Sequence, residues 1–170
     1  RLRLRPWTGD DRDPLARLHS DRRVSGPLGG DIDRASSDAF IVRMEQSFER
    51  YGFGFWAVEY DRLLIGAIGL AVPRFDAEFT PCVEVGWRLS VEHWGAGFAT
   101  EGAHAALHYA FDALQLDEVV SFTAKSNVRS QRVMERLGLL RDRDFLHPLL
   151  AVDHPLRPHV LYRGRRYSRE

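Results

Sequence analysis

The segment Trp94-Gly95-Ala96-Gly97-Phe98-Ala99-Thr100-Glu101 constrains the fold more than any other part of the chain. Small residues crowd a turn, and directly behind it Ala103, Ala106, Leu107, Ala110, Phe111 and Leu114 recur at helical spacing. A tight loop that opens a helix points unpaired backbone N–H groups outward, and the aligned peptide dipoles add partial positive charge there. With no Cβ at Gly95 or Gly97, an anion can come close to the main chain. Two readings stand at this point: a plain turn before a helix, or a phosphate cradle made of backbone. Neither of the two better-known phosphate motifs fits, since no lysine follows Gly97 as a Walker A sequence needs, and Thr100 stands where a dinucleotide fingerprint needs its third glycine.

The flanking segments give the loop its setting. Upstream, Val83-Glu84-Val85-Gly86-Trp87-Arg88-Leu89 alternates as a strand, with Val83, Val85 and Trp87 on one face and Glu84, Gly86 and Arg88 on the other. Downstream, Val119 to Thr123 reads as a further strand, followed by Asn127 at the head of a helix that runs to Gly138. The order is strand, glycine loop, helix, strand, Asn-led helix.

Here the chain resembles the GNAT-superfamily N-acetyltransferases, and within them the RimJ/RimL-like branch. The superfamily's acyl-CoA signature is Gln/Arg-x-x-Gly-x-Gly/Ala, and in this branch Trp commonly stands first, as in Trp94-Gly95-Ala96-Gly97-Phe98-Ala99. The Ala99-Thr100-Glu101 continuation, the run from Asn127 through Ser130, Met134-Glu135 and Leu137-Gly138, the opening Leu4-Arg5-Pro6-Trp7, and the late His147-Pro148 and His159-Val160-Leu161-Tyr162 are similar too. The resemblance covers nearly the whole chain, in the right order. It implies an α/β fold with a mixed, mostly antiparallel seven-stranded sheet, helices on both faces, and strands four and five splayed apart to admit acyl-CoA. It also implies one N-acetyltransferase domain over residues 1–170 and acetyl-CoA as cosubstrate. The acceptor would be a primary amine, a protein N-terminal α-amine or a small amine, attacked directly in a ternary complex.

Composition bounds the alternatives. The 170 residues suffice for one domain with a core, at 44% hydrophobic and 28% charged. A formal net charge of +0 gives no electrostatic footprint for nucleic acid or an anionic membrane. No apolar run approaches the length of a membrane span. The lone Cys82 excludes an internal disulfide and fits a reducing cytoplasm, and it reads as a small buried residue with no adjoining base. Lys125 is the only lysine among many arginines, a bias that leans towards a GC-rich bacterial source. The start at Arg1 instead of Met reads as a trimmed chain, and the assembly is expected to be a monomer or homodimer.

Further along, Arg1 to Trp7 is expected as a first strand, and a short helix carries Leu15, Leu18 and Val24. A loop spans residues 26–30, and a second helix runs from Ala39 to Tyr51 behind Ser36-Ser37-Asp38. Phe53–Tyr60 and Leu63–Val72 form a hairpin, Pro73–Pro81 a loop, Leu139–Phe145 a sixth strand, Pro148–Pro158 a proline-rich loop, and His159–Arg163 a seventh strand.

Acetyl transfer to an amine requires that the pyrophosphate be held, the thioester carbonyl polarised, the ammonium deprotonated and the thiolate helped away. The resemblance assigns the first task to Trp94, Gly95, Ala96, Gly97, Phe98, Ala99 and Thr100. It assigns the main chain of Leu89, Ser90 and Val91 to the pantetheine amides and the thioester oxygen, and Asn127 to the pantetheine arm besides capping its helix. Glu84, in the strand that leads to the acyl carbonyl, is either the proton acceptor or the partner of Arg88 or a cross-strand arginine. Many superfamily members carry a general-acid tyrosine seven residues after the asparagine, where this chain has Met134. That departure leaves Ser130 as the candidate hydrogen-bond donor to the thiolate, with Tyr162 as a more distant one. It also keeps open a non-catalytic acyl-CoA-binding module. His104 and His108 have metal-pair spacing but nothing to complete a site, so no metal is expected. His147, His154 and His159 read as loop residues. Arg129 and Arg132 are either contacts for CoA phosphates or a solvated helix face.

Overall fold

The computed structural model describes residues 1–166. Seven strands form one sheet in the order β1-β2-β3-β4-β5-β7-β6. They are β1 (Arg3–Arg5), β2 (Phe55–Tyr60), β3 (Leu63–Ala71), β4 (Glu84–Leu89), β5 (Glu118–Ala124), β6 (Leu140–Leu146) and β7 (Pro158–Arg165). Every neighbouring pair is antiparallel except β4 and β5, which run parallel and share only the register Glu84↔Val120. The expected mixed sheet with parted central strands is therefore what the chain adopts.

Five helices cover the sheet: α1 (Arg12–Ser20), α2 (Arg22–Ser25), α3 (Arg34–Tyr51), α4 (Phe98–His108) and α5 (Val128–Arg136). The apolar stripes of α4 and α5 supply Phe98, Ala103, Ala106, Leu107 and Met134 to one core cluster with Ile68, Leu70, Val85, Leu89 and Val119 of the strands. On the other face, Leu15 and Leu18 of α1 and Phe40 and Ile41 of α3 pack with Trp7, Phe55, Ala57 and Ala67. A smaller cluster on that second face, around Phe79, Val120 and Leu161, gathers Phe75, Phe122 and Phe145. Helices thus lie on both sides, each burying the apolar stripe its spacing dictates.

Several boundaries differ from expectation, each for a local reason. The α3 helix starts five residues before Ala39, because Asp33 caps it by accepting from the Ser36 N–H at 2.7 Å. Ser37 is thereby drawn into the first turn and buried against α1. Gly52 ends α3 in the left-handed region at φ 76°, its N–H bonded to the Phe48 carbonyl. The stretch expected to continue α4 as far as Leu114 leaves the α-helix after His108 and widens into a π turn over Tyr109–Ala113. The first strand is three residues long, since Pro6 and the Thr8 turn that follows end its pairing with β2. The turn of the β2–β3 hairpin holds Asp61 and Arg62 at φ 48° and 63°, both left-handed, as a tight two-residue connection requires.

Close backbone approach governs the centre of the sheet. A Cβ on Gly69 would lie 2.1 Å from the Gly54 carbonyl oxygen and 2.5 Å from the Phe55 Cα, so β2 and β3 can sit as they do only with glycine at 69. Both edges of the sheet are charged. Edge strand β6 exposes Arg141, Asp142, Arg143 and Asp144, and the short β1 carries Arg3 and Arg5. Gly69→Ala is expected to destabilise the fold by ~3 kcal/mol, the upper end for overpacking, because the obstacle is main chain. Urea unfolding followed by circular dichroism checks it, and an unchanged midpoint would contradict the packing described.

Candidate active site

The site begins where β4 and β5 part. At the shared end, the Val120 N–H donates to the Val83 carbonyl at 2.9 Å, and the Ser121 hydroxyl donates to the Val85 carbonyl at 2.9 Å. Beyond that point no backbone register links the two strands. The Ser90 N–H is taken by the Ile65 carbonyl of β3 at 2.8 Å, so alternation turns the peptide edges of Trp87 and Leu89 away from β3 and into the gap. The Leu89 carbonyl does point that way, since it accepts the Trp94 indole N–H at 2.8 Å. Of the three residues expected to offer main chain here, Leu89 faces the gap, Ser90 has its N–H engaged, and Val91 opens a 3-10 turn whose carbonyl accepts the Trp94 N–H. Trp87, which the sequence reading did not single out, adds an edge of its own; counting alternate residues back from Leu89 finds it.

Past the gap the chain makes the glycine loop. Gly95 and Gly97 sit at φ 79° and 82°, a conformation that L side chains avoid, and Gly97 is the residue before the first turn of α4. Gly95, Ala96 and Gly97 are exposed. A Cβ at Gly95 would meet nothing within 4 Å, and one at Gly97 only the Arg1 guanidinium at 3.6 Å. The first helical bond runs from the Glu101 N–H to the Gly97 carbonyl, which leaves the N–H groups of Phe98, Ala99 and Thr100 without helical partners. An open turn that presents main-chain donors at a helix N-terminus fits a pyrophosphate. Across the gap, the Arg129 guanidinium at the start of α5 stacks over the Trp94 ring at 4.4 Å, so the loop after β4 and the helix after β5 touch.

At the end of β5, Asn127 caps α5 by accepting from the Ser130 N–H at 3.3 Å. Its amide hydrogens go to the Thr123 hydroxyl at 3.0 Å and the Ser130 hydroxyl at 3.3 Å. Ser130 therefore receives a hydrogen bond and keeps its own proton to give. Met134 is buried in the core. The Tyr162 hydroxyl lies on the Glu135 carboxylate at 3.3 Å, and burial together with that carboxylate raises its pKa.

Glu84 and Arg88 share a sheet face with Gly86, in the seam between the α1–α3 cluster and the Phe79–Val120–Leu161 cluster. Glu84 is half-buried, and burial raises its pKa to about 7, with nearby Arg88 opposing the shift. No ion pair joins it to any arginine among the described residues, although pairing was one of the two readings for this carboxylate. Arg88 instead turns towards α1 and α3. Its Nη1 donates to His19 Nε2 at 3.1 Å, and its guanidinium lies 4.2 Å above the Phe40 ring. His19 is fully buried and bonded through Nδ1 to the Ser37 hydroxyl at 2.8 Å; burial and Arg88 lower its pKa to about 4, so at neutral pH it is uncharged and can accept from Arg88. This His19–Ser37 support was not legible from spacing, because the two residues lie on different helices.

The remaining titratable candidates lie elsewhere. Burial pushes the Cys82 thiol up to about 11, which leaves it protonated and unreactive. His108 pairs with Asp112 on the surface of α4, and no group of three or more metal-ligating side chains occurs among the described residues. His147 lies in the irregular segment after β6, as expected of a loop residue, whereas His159 is buried in β7, and the two stack with Phe75, Phe122 and Phe145. No helix of the described residues is long and apolar enough to cross a membrane.

The sequence pattern of the Acetyltransferase (GNAT) domain matches residues 1–140. The chain belongs to the GNAT acetyltransferase family. It is 29% identical over 142 residues to YkkB of Bacillus subtilis, which spans 82% of this chain and 81% of that protein. Its fold is similar to an acetyltransferase structure from Agrobacterium tumefaciens, at 28% identity and TM-score 0.79, over 98% of this chain and 91% of the other. It is similar in fold also to RimJ of Mycobacterium smegmatis, solved in complex with CoA-disulfide, at 20% identity and TM-score 0.75 over 96% and 81% of the two chains. The family is an acyltransferase family that uses acetyl-CoA and acts on amine acceptors.

Replacing Gly97 by Glu puts an anion and a Cβ beside the open N–H groups, at a backbone angle that costs a non-glycine residue about 1–2 kcal/mol. Gly97→Glu is expected to lower acetyl-CoA affinity at least tenfold, roughly 1.4 kcal/mol or more, while circular dichroism remains native. Calorimetric titration reads it, and wild-type affinity in the folded variant would remove the loop from the site.

Proposed function

We propose that this protein is an acetyl-CoA-dependent N-acetyltransferase, one domain over the chain, that transfers acetyl to a primary amine by direct attack in a ternary complex. The observation that carries the reading is the parting of β4 from β5, with free peptide edges inside the gap, a glycine cradle at its end and a lone carboxylate on the adjoining face. The similarity of several separated motifs to the RimJ/RimL-like branch supports placing the chain in or near that branch, whose acceptors include protein N-termini and small amines.

Acetyl-CoA supplies an activated acyl carbon and a thiolate leaving group. The main chain of Trp94 to Thr100 holds its pyrophosphate through N–H groups and the α4 dipole. The Leu89 N–H, facing the gap, is the donor best set to polarise the thioester oxygen, with the edge of Trp87 beside it for the pantetheine amides. Asn127 keeps Ser130 in place and offers a free lone pair on Oδ1 to the arm, both its amide hydrogens being engaged.

Glu84 is the proton acceptor in this reading. An alkyl ammonium has a pKa of roughly 10, so at neutral pH a base must take its proton before or during attack. A carboxyl group held near 7 by burial is half deprotonated at neutral pH and is a far stronger base than an exposed glutamate. Because only the deprotonated form accepts, kcat/KM should rise with pH through about 7, the value to which burial raises the Glu84 carboxyl. Glu84→Gln is expected to abolish that limb and lower turnover by about a hundredfold at neutral pH. The deficit should shrink at high pH, where more of the amine is already neutral. A pH–rate profile by thiol release decides it, and a variant with a near-normal rate across the range would end the base assignment. Absence of thiol release with every amine tried, in a protein that binds acetyl-CoA, would instead point to a binding module.

Ser130 is the donor to the departing thiolate, since its hydroxyl accepts from Asn127 and keeps its own proton to give. Ser130→Ala should cut turnover by about tenfold or more and leave acetyl-CoA affinity in calorimetry close to wild type. If Tyr162→Phe produces that loss and Ser130→Ala is silent, the donor is on β7.

A further inference from the structure

Glu84 does not stand alone in its seam. Arg88 and Arg43 both converge on Phe40, at 4.2 Å and 5.8 Å from its ring centre, and neither pairs with any acid among the described residues. Burial lowers the Arg88 pKa to about 10, Arg43 adding to the shift and Glu84 opposing it, and burial together with Arg74, in the loop after β3, lowers that of Arg43. Arg88 Nε is fully buried and bonds to nothing. A guanidinium fixed on both sides, by His19 and by the Phe40 ring, with a buried N–H left over, is an incomplete arrangement. A buried unpaired donor costs about 1–3 kcal/mol, and like charges brought together cost more.

What completes it is an anion. The geometry points to an acceptor that carries its own anionic oxygen-acid group a few ångströms from the reacting amine, an α-amino acid or similar small zwitterion, which Arg88 and Arg43 grip while Glu84 meets the amine. This rests on the acetyl-transfer reading and names its substrate class. Glu84 and Arg88 lie four residues apart on one strand face, about 13 Å between their Cα atoms, and although Arg88 leans towards α1 and α3 each still feels the other's charge. Gly86 between them presents no side chain, and the Phe55 ring fills the space where its Cβ would be, making an apolar floor. The loop after α2 meets the loop after β6, with Leu150 at 4.0 Å from the position of a Gly29 Cβ. Pro27 and Leu156 from the same two loops line a recess with Asn127 and Arg129. Two arginines without acidic partners suit a small anionic amine better than a polyamine, which they repel, or an amidated peptide, which brings no acid group.

The test compares free acids with their amides. The wild-type protein is assayed by thiol release with the twenty L-amino acids, the matching carboxamides, 2-aminoethylphosphonate, spermidine and a C-terminally amidated tripeptide. At least one free acid or the phosphonate should exceed every amide in kcat/KM by about tenfold or more, as expected for a charge-assisted hydrogen bond; a carboxylate and a phosphonate preference are told apart by which of them leads. In Arg43→Gln and Arg88→Gln the acid-to-amide ratio should fall towards one, with partial recovery in Arg43→Lys. Arg43 is half-buried and supports no other side chain by hydrogen bond, so its variants remain informative if Arg88→Gln does not fold. Equal rates for acids and amides, a preference for spermidine or for the tripeptide, or a ratio that Arg43→Gln leaves unmoved would each overturn the proposal while leaving acetyl transfer standing. Turnover with none of these amines would remove both.

Discussion

The structure turns on how two parallel strands are joined and then released. The β4 and β5 strands are held together at one end by the Val120 N–H on the Val83 carbonyl and by the Ser121 hydroxyl on the Val85 carbonyl. The serine caps the ladder with a side chain where a backbone donor would otherwise continue it. Past this point the peptide groups of β4 must find other partners or stay open to a ligand, because a peptide edge left both buried and unpaired is costly. One has found the Trp94 indole. The glycine loop, Arg129 on Trp94, and Asn127 with Ser130 are all arranged around the opening this creates.

The same sheet separates two chemistries. Residues pointing one way from β4 bury Val85 and Leu89 under α4, which fixes the helix whose first turn carries the open N–H groups behind the glycine loop. Residues pointing the other way place Glu84, Gly86 and Arg88 in the seam under α1 and α3. Period-two alternation therefore sorts one six-residue strand into a structural face and a polar one. The raised pKa of Glu84 follows from this: the carboxylate is confined between two apolar clusters, and its one charged neighbour has turned away to His19 and Phe40.

Much of this was legible in the sequence where the signal is local. Alternation in Val83–Leu89, the Gly95–Gly97 spacing and the Asn127 cap are each contained in a few consecutive residues, and the strands and helices built on them are where the pattern puts them. The missed features are those that depend on distant residues. The start of α3 at Arg34 needed a choice between Asp33 and Ser36-Ser37 as cap, and Ser37 was claimed by His19 across the helix pair. The convergence of Arg43 and Arg88 on Phe40 joins α3 to β4, and no spacing rule relates them. The aromatic stacking of His147 and His159 likewise brings β7 beside the segment after β6. Local rules name the parts, and the tertiary neighbours decide which of them carry charge into the interior.

The charged margins of the sheet have a consequence for the life of the molecule in a crowded solution. An edge strand is a row of unsatisfied peptide groups that invites another chain to add on. Along β6, Arg141, Asp142, Arg143 and Asp144 stand on both faces of that row, held by Lys125, Arg163 and Glu78. At the opposite margin, β1 is only three residues long and Arg5 is clamped by Asp11 and Glu59. An incoming strand would have to strip water from these ions for a few hydrogen bonds, so the sheet can stay split open at its middle for a ligand without being extended at its ends by a neighbour.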